Sequence, residues 1–452
     1  MTSRHIPIVP TGPNSTSRKT HQLASSVSLL AALPPLSLYV HIPWCVRKCP
    51  YCDFNSHEIK PAQLDTAQRG DTPALKSPWP RPRPGASHAE SNGHVNSQKA
   101  RIEIPEDAYI EALTRDLEQA LPLIWGRRIY SIFFGGGTPS LLSPLALDTL
   151  LANLRARLPL EYCSEITLEA NPGTFESAKF AAYRASGVNR LSIGIQSFDP
   201  RHLQALGRIH DDKEAHRAIE IAQRNFDNFN LDIMYALPGQ TLTEAARDID
   251  TAIAAAPTHI SAYQLTLEPN TLFHRYPPAL PGDDAAEEMQ TQLETLLEAA
   301  GYHGYETSAF AQPGRQCRHN RNYWQFGDYL GIGAGAASKI SFPDRIVRSL
   351  RAKQPKAYME SVASGAHIVE QGEVSLAELP FEFMLNALRL TDGFPTSLFA
   401  ERTGLPLTVV KEQLDLAERR GLIERDALTV RPTQRGRRFL NDLLQSFLPG
   451  VA

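Results

Sequence analysis

Short apolar runs ending in glycine, proline or small polar residues recur along this chain, separated by stretches of helical pattern. EDAYIEALTRDLEQALPLI (106–124) has the apolar spacing of an amphipathic helix, with Glu106 and Asp107 in its first turn, where the helix dipole favours acids. IYSIFFGGGTPS (129–140) follows as a β-type run closing in glycines. The rhythm then repeats at EITLEANPGT (165–174), VNRLSIGIQSF (188–198), NFNLDIMYALPGQ (228–240) and HISAYQLTLEPNT (259–271), with helical segments such as LTEAARDIDTAIAA between runs. Alternation of this kind predicts repeated parallel βα units. In such sheets and barrels the functional groups gather at the carboxyl ends of the strands, and polar residues stand at the ends of these runs.

The 452 residues exceed one ordinary domain, and three segments break the rhythm. Residues 1–35 are polar and basic, then apolar in LASSVSLLAALPPL. Pro34 and Pro35 interrupt that stretch and it runs directly into SLYVHIPWC, so a loose N-terminal extension is expected rather than a cleaved export signal. Residues 58–104, with PWPRPRPG and few large apolar side chains, cannot bury enough surface to offset their ordering entropy and are expected to be a disordered insertion. Beyond about residue 375 the pattern becomes helices with one short hairpin, and residues 376–452 predict a small, mostly helical, winged-helix-like domain. Its Arg431, Arg435, Arg437 and Arg438 could face nucleic acid. Phe439, Leu443, Leu444 and Phe447 in the same stretch favour packing on the larger domain, and 46 basic against 49 acidic residues oppose binding through bulk positive charge. No nucleic-acid partner is therefore expected. No apolar run approaches the ~20 residues that span a bilayer.

Five cysteines are too few and too unevenly placed for a secreted disulfide framework, which points to a reducing compartment. Three of them, Cys45, Cys49 and Cys52, lie in CVRKCPYC, while Cys163 and Cys317 stand alone. Zinc would want a fourth ligand with paired spacing, which is missing. A cubane iron–sulfur cluster normally takes four thiolates, so three would leave one iron open for chemistry or for a cofactor. Arg47, Lys48 and Pro50 between the thiols argue against three cysteines of an apolar core.

The CxxxCxxC loop after a first strand, with Tyr51 before the last cysteine, resembles the radical S-adenosylmethionine (SAM) superfamily. That resemblance implies an α/β fold, a partial (β/α)6 TIM-like barrel over residues 36–375, in which the three cysteines hold a [4Fe-4S] cluster and SAM chelates the fourth iron. SLYVHIPWCVRKCPYCDFNSH is similar to the oxygen-independent coproporphyrinogen III oxidase group, but Phe54 stands where the oxidase proper carries a further cysteine. This departure resembles the HemW-type haem chaperones. In the same resemblance Gly136, Gly137 and Thr138 of GGGTPS lie against the SAM amino group, and Tyr39, Glu169, Gln196, Arg208 and Asp232 match SAM-binding positions. Taken singly, each could equally be a capping or ion-paired residue. HNxxYW is present as His319, Asn320, Tyr323 and Trp324 and resembles the chaperone motif. His319 could supply an axial nitrogen to haem iron, or simply bond Asn320 or the backbone; Cys317 is an alternative soft ligand.

GIGAGAAS (331–338) fails as a dinucleotide fingerprint and is expected near the SAM adenine or the barrel mouth. His41 is a candidate proton donor or porphyrin contact, and Trp44 a candidate pocket wall. The function implied is a cytoplasmic, cluster-bearing protein that binds haem and passes it to acceptor proteins, some membrane-bound, with peripheral membrane association. The enzyme alternative is oxidative decarboxylation of coproporphyrinogen III. Homodimerisation is a further expectation that the sequence leaves open.

Overall fold

The computed structural model describes residues 30–59, 104–174 and 176–448. Most of the N-terminal extension and nearly all of the Pro-rich insertion lie outside the described residues. Six parallel strands form the centre of the larger unit: β1 (Leu36–Ile42), β2 (Ile129–Gly136), β3 (Leu160–Ala170), β4 (Arg190–Gln196), β5 (Phe229–Tyr235) and β6 (His259–Gln264). Their order in space follows their order in the chain, the arrangement of a (β/α) barrel rather than of a doubly wound sheet. Beyond β6 come the antiparallel β8 (Ala309–Ala311) and β7 (His303–Glu306). Beside β1 lie the parallel β9 (Asp328–Ile332) and an antiparallel meander of β10 (Ala337–Ser341), β11 (Ile346–Arg351) and β12 (Ile368–Glu373). Among the described residues β7 and β12 remain the two edges, so the sheet is open.

Period-2 patterning sorts the strand residues. One face carries Leu38, Val40, Ile132, Phe134, Leu168, Leu191, Ile193, Leu231 and Ile233, all buried in the main core with residues of the covering helices α1 (Glu106–Ile124), α2 (Pro144–Arg157), α3 (Ser177–Ser186), α4 (Asp212–Asn225), α5 (Leu242–Ala254) and α6 (Asp283–Ala299). Each such side chain contributes about 1.5–3 kcal/mol on burial. The alternate residues, among them Tyr39, Glu169, Arg190, Ser192, Asn230 and Asp232, face inward onto one cavity.

The small C-terminal unit has its own core, including Phe383, Phe394, Phe399, Leu414, Val430, Leu443 and Leu444, into which Phe326 and Ile346 of the larger unit insert. Its wing is a three-stranded sheet rather than the expected lone hairpin, because Phe394–Pro395 pairs with Thr429–Pro432 beside Ile423–Arg425. Phe439 does not join that core and is 51% exposed. Two of the four C-terminal arginines form ion pairs, Arg431 with Glu424 and Arg438 with Glu287 of α6.

A buried polar node ties α1 to the meander. Asp116 accepts hydrogen bonds from Arg351 Nε (2.8 Å), Tyr358 Oη (2.8 Å) and the Gly333 backbone N–H (3.1 Å), and is bonded to His367 Nε2 (3.0 Å). Burial alone would raise its carboxyl, but the Arg351 guanidinium and His367 overcome this and hold it below the usual carboxylate range. A depressed carboxylate stabilises the fold above its unfolded value and loses that contribution as pH falls through the folded one. Asp116→Ala is expected to cost about 3–5 kcal/mol in denaturant titrations, since it leaves Arg351 buried without its partner. The gap between wild type and Asp116→Asn should narrow below about pH 4.

Candidate functional site

The cysteine loop leaves β1 at Ile42 and is held where it docks on the end of β2. Gly137 N–H donates to Ile42 O and Thr138 N–H to Trp44 O, both at 2.7 Å. The glycines are required by this close approach. A Cβ on Gly136, whose φ is 113°, would stand 2.5 Å from the His41 ring, and one on Gly137 would stand 2.5 Å from Trp44 O. Beyond the thiols, His57–Glu58 pairs in parallel with Trp44–Cys45. Asn55 Nδ2 donates to the carbonyls of Ala334 and Lys353, both at 2.9 Å. The loop is thus pinned on both sides of Cys49.

Cys45, Cys49 and Cys52 border a cavity of about 710 Å³, within the range of small-molecule sites. Thr138 Oγ1 donates to Cys45 Sγ (3.5 Å), Arg208 Nη1 to Cys49 Sγ (3.7 Å), and Ser56 Oγ lies 3.7 Å from Cys52 Sγ. Burial pushes the thiols of Cys45 and Cys52 up. Among the described residues no three His, Cys, Asp or Glu side chains converge on one metal ion.

The residues matched to SAM-binding positions, and His319, line the same cavity: Tyr39, Gly136, Gly137, Thr138, Glu169, Gln196, Arg208, Asp232 and His319. Arg208 is braced by Asn171 Oδ1 and Gly194 O, each at 2.6 Å, and Asn171 Nδ2 donates to Thr138 Oγ1 at 2.9 Å, so the cation beside Cys49 and the hydroxyl beside Cys45 belong to one network. Gln196 closes β4 in the left-handed region (φ 71°), which few residues other than glycine adopt. Glu169 accepts the Gly136 N–H at 3.1 Å; burial, and then the Asp232 carboxylate, push its carboxyl up to about 8. Asp232, raised by burial, accepts from Ser192 Oγ (3.0 Å) and Asn230 Nδ2 (2.8 Å).

His319 lies on the helix α7 (Arg318–Trp324), fully buried apart from 2% of its surface. Glu165 of β3 anchors the N-terminus of that helix, its Oε1 accepting from the backbone N–H of Arg318 (3.0 Å) and His319 (3.3 Å). His319 does not bond Asn320. Its Nδ1 meets Ser131 Oγ at 3.1 Å, and its Nε2 is buried with no partner. Phe133 stacks on the ring at 4.9 Å, Tyr323 meets it edge-on at 5.0 Å, and burial followed by the nearby Arg190 charge lowers its pKa to about 3. Trp324, also on the wall, has its ring under the Arg389 guanidinium of the C-terminal region at 4.4 Å.

Some expectations change. Cys317 is wholly buried, off the cavity wall, and donates its thiol to Glu165 Oε1 at 3.5 Å, so it is no soft ligand. Both ring nitrogens of His41 are engaged, by Tyr39 Oη (3.0 Å) and Asn55 O (2.9 Å), and the ring packs behind Gly136 rather than in the cavity. Trp44 packs edge-on against Tyr109 at 4.6 Å. The GIGAGAAS segment lies against the back of the cysteine loop, since a Cβ on Gly333 would strike His41 O and one on Gly335 would strike Asn55. Reasoning from strand ends overlooked Arg190, Ser192, Asn230 and Tyr263, all on the wall. Their signal was the polar alternation within the strands.

Residues 39–252 match the radical SAM superfamily, and residues 374–439 the HemN C-terminal domain. The chain is 46% identical over 421 residues to "Heme chaperone HemW" of Escherichia coli, covering 93% of this chain and 100% of that one. Against the proteins of the same name from Haemophilus influenzae and Bacillus subtilis, identity is 44% (92% of this chain, 98% of the relative) and 32% (91% and 99%). Among solved structures, coproporphyrinogen III oxidase (HemN) from Escherichia coli superposes with a TM-score of 0.71 at 21% identity, covering 92% of this chain and 90% of that one, which establishes a shared fold.

Glu169 provides a pH test of the cavity. A carboxyl whose folded pKa is raised favours folding below its unfolded value and loses that contribution as pH rises through the folded one, here from about 4.5 to about 8. Glu169→Gln mimics the neutral acid. It is expected to flatten the decline in ligand-free stability across that window by on the order of 3 kcal/mol, read from unfolding midpoints at pH 5 and pH 8.

Proposed function

The chain belongs to the HemW family within the radical SAM superfamily, and on that premise we propose that it is a haem chaperone. It holds a [4Fe-4S] cluster and SAM as resident cofactors, binds haem as cargo, and delivers that haem to acceptor proteins. Cys45, Cys49 and Cys52 are the cluster ligands in this reading. Arg208, fixed by Asn171 and lying 3.7 Å from Cys49 Sγ, offers positive charge to a carboxylate at the cluster's open iron. Glu169, Asp232 and Gln196 offer polar atoms to the amino-acid and ribose parts of SAM, and Tyr39 and the Gly136–Thr138 turn complete that wall. When bound, the cluster supplies one-electron chemistry; the protein's part is orientation and exclusion of water.

The observation that carries the haem reading is the unpartnered Nε2 of His319. A buried ring nitrogen normally has a hydrogen-bond partner, and this one belongs to a residue on the wall of a ligand-sized cavity that Phe133, Tyr323 and Trp324 also line. With Nδ1 engaged by Ser131 and the ring held neutral by burial, Nε2 is the atom free to bind iron. Phe54, 61% exposed at the cavity wall, offers no thiolate where the oxidase has one, which supports the chaperone over oxidative decarboxylation. Among the described residues no helix is long and apolar enough to cross a membrane. Cytoplasmic residence with transient contact to membrane-bound acceptors belongs to the proposal.

Anaerobic reconstitution with iron and sulfide is expected to give about four irons per chain, and Cys45→Ala, Cys49→Ala or Cys52→Ala to lose most of them, by iron and sulfide analysis. Haem titration should give a saturable Soret band, weakened at least ~10-fold in His319→Ala, equivalent to ~1.4 kcal/mol. Absence of stoichiometric haem binding, or conversion of coproporphyrinogen III to protoporphyrinogen IX at useful turnover, would overturn the reading.

A further inference from the structure

One buried charged side chain on the cavity wall has no hydrogen-bond or ion-pair partner among the described residues. Arg190 opens β4 on the same inward face as Ser192 and Gly194, and is 2% exposed. Its Nε is buried without a hydrogen bond, and among the described residues no carboxylate forms an ion pair with it; the acids around it, Glu165 and Asp232, act only through the field. Asp232 is engaged through both oxygens, by Ser192 and Asn230, and Glu165 through Oε1, which takes the N–H groups of Arg318 and His319. A guanidinium presents five donors in a planar fork and cannot shed its charge; here the surrounding anionic groups offset its burial through the field, while among the described residues the fork has no hydrogen-bonded acceptor.

Of the three arginines on the wall, Arg47 is exposed, and the two inner ones stand apart. Arg208 bonds Gly194 O and lies beside Cys49, whereas Arg190 sits four residues, ~13 Å, back along the same strand and is felt electrostatically by His319. We propose that Arg190 seats a carboxylate of the cavity ligand, namely a propionate of the haem whose iron faces His319. This rests on the haem reading above. A planar dicarboxylate would then be oriented at two points, iron against imidazole and propionate against guanidinium, and Arg208 would be left to the cofactor at the thiol end.

The test uses full-length, cluster-reconstituted protein and three probes: haem, haem dimethyl ester and SAM. Wild type is expected to bind haem at least ~10-fold more tightly than the ester, which has the same ring and iron but no carboxylate charge. Arg190→Gln should bring haem down to the level of the ester and leave the ester unchanged. Arg190→Lys, which keeps the charge but not the fork, should fall between them. SAM affinity should change less than ~2-fold in both variants. Equal binding of haem and ester by wild type overturns the inference without touching the haem reading, and needs no variant to fold. A loss of SAM affinity in Arg190→Gln with haem unchanged also overturns it, assigning Arg190 to the carboxylate of SAM. Failure of wild type to bind either tetrapyrrole overturns the haem reading and the inference with it.

Discussion

The site depends on one close approach, that of the Gly136–Gly137 backbone to the chain running from His41 to Trp44. A side chain on either glycine would force β2 away from the start of the cysteine loop. The thiols are positioned by backbone hydrogen bonds at this junction and by Asn55 on the far side, rather than by packing of their own side chains. Thiols held this way keep their spacing while the cysteines remain on the cavity wall. The same junction orders the second wall, because Gly136 N–H is the donor that holds Glu169.

A second constraint acts at the opposite side of the cavity. Helix α7 would be a short segment between strands with unsatisfied N-terminal N–H groups, and Glu165 supplies their acceptor from β3. His319 is thereby presented edge-inward with one nitrogen committed and one free. The C-terminal unit reaches the same helix through Arg389 over Trp324 and through Arg402, whose Nε donates to Gln325 O at 3.3 Å. The small domain is therefore continuous with the wall of the cavity.

Much of this was legible in the residues alone because it is local. Period-2 and helical patterns give strands and helices their faces, and CVRKCPYC, GGGTPS and HNxxYW announce chemistry through spacing. Glu169 and Gln196 could be picked out because parallel strands end on one rim, so distant residues converge by topology; Asp232, in the middle of its strand, was indicated by the family resemblance. The misreadings share a cause. Cys317 and His41 look reactive in a string, yet each is consumed by a partner far along the chain or across a turn, Glu165 for the thiol and Asn55 for the imidazole. The glycines of GIGAGAAS look like a ligand loop but serve a close contact between protein segments.

What the sequence determined by itself is the set of chemical groups, the βα order that delivers them to one side of a sheet, and the family to which the pattern is similar. Only the tertiary structure decided which groups are spent and which are left free. Hydrogen bonds and charge pairs saturate between residues separated by tens to hundreds of positions, and no local pattern records them. Ser131 occupies one nitrogen of His319 across 188 residues, and Glu165 takes up the start of its helix across 154. The free Nε2 of His319 and the unpaired guanidinium of Arg190 emerge only after that accounting is complete.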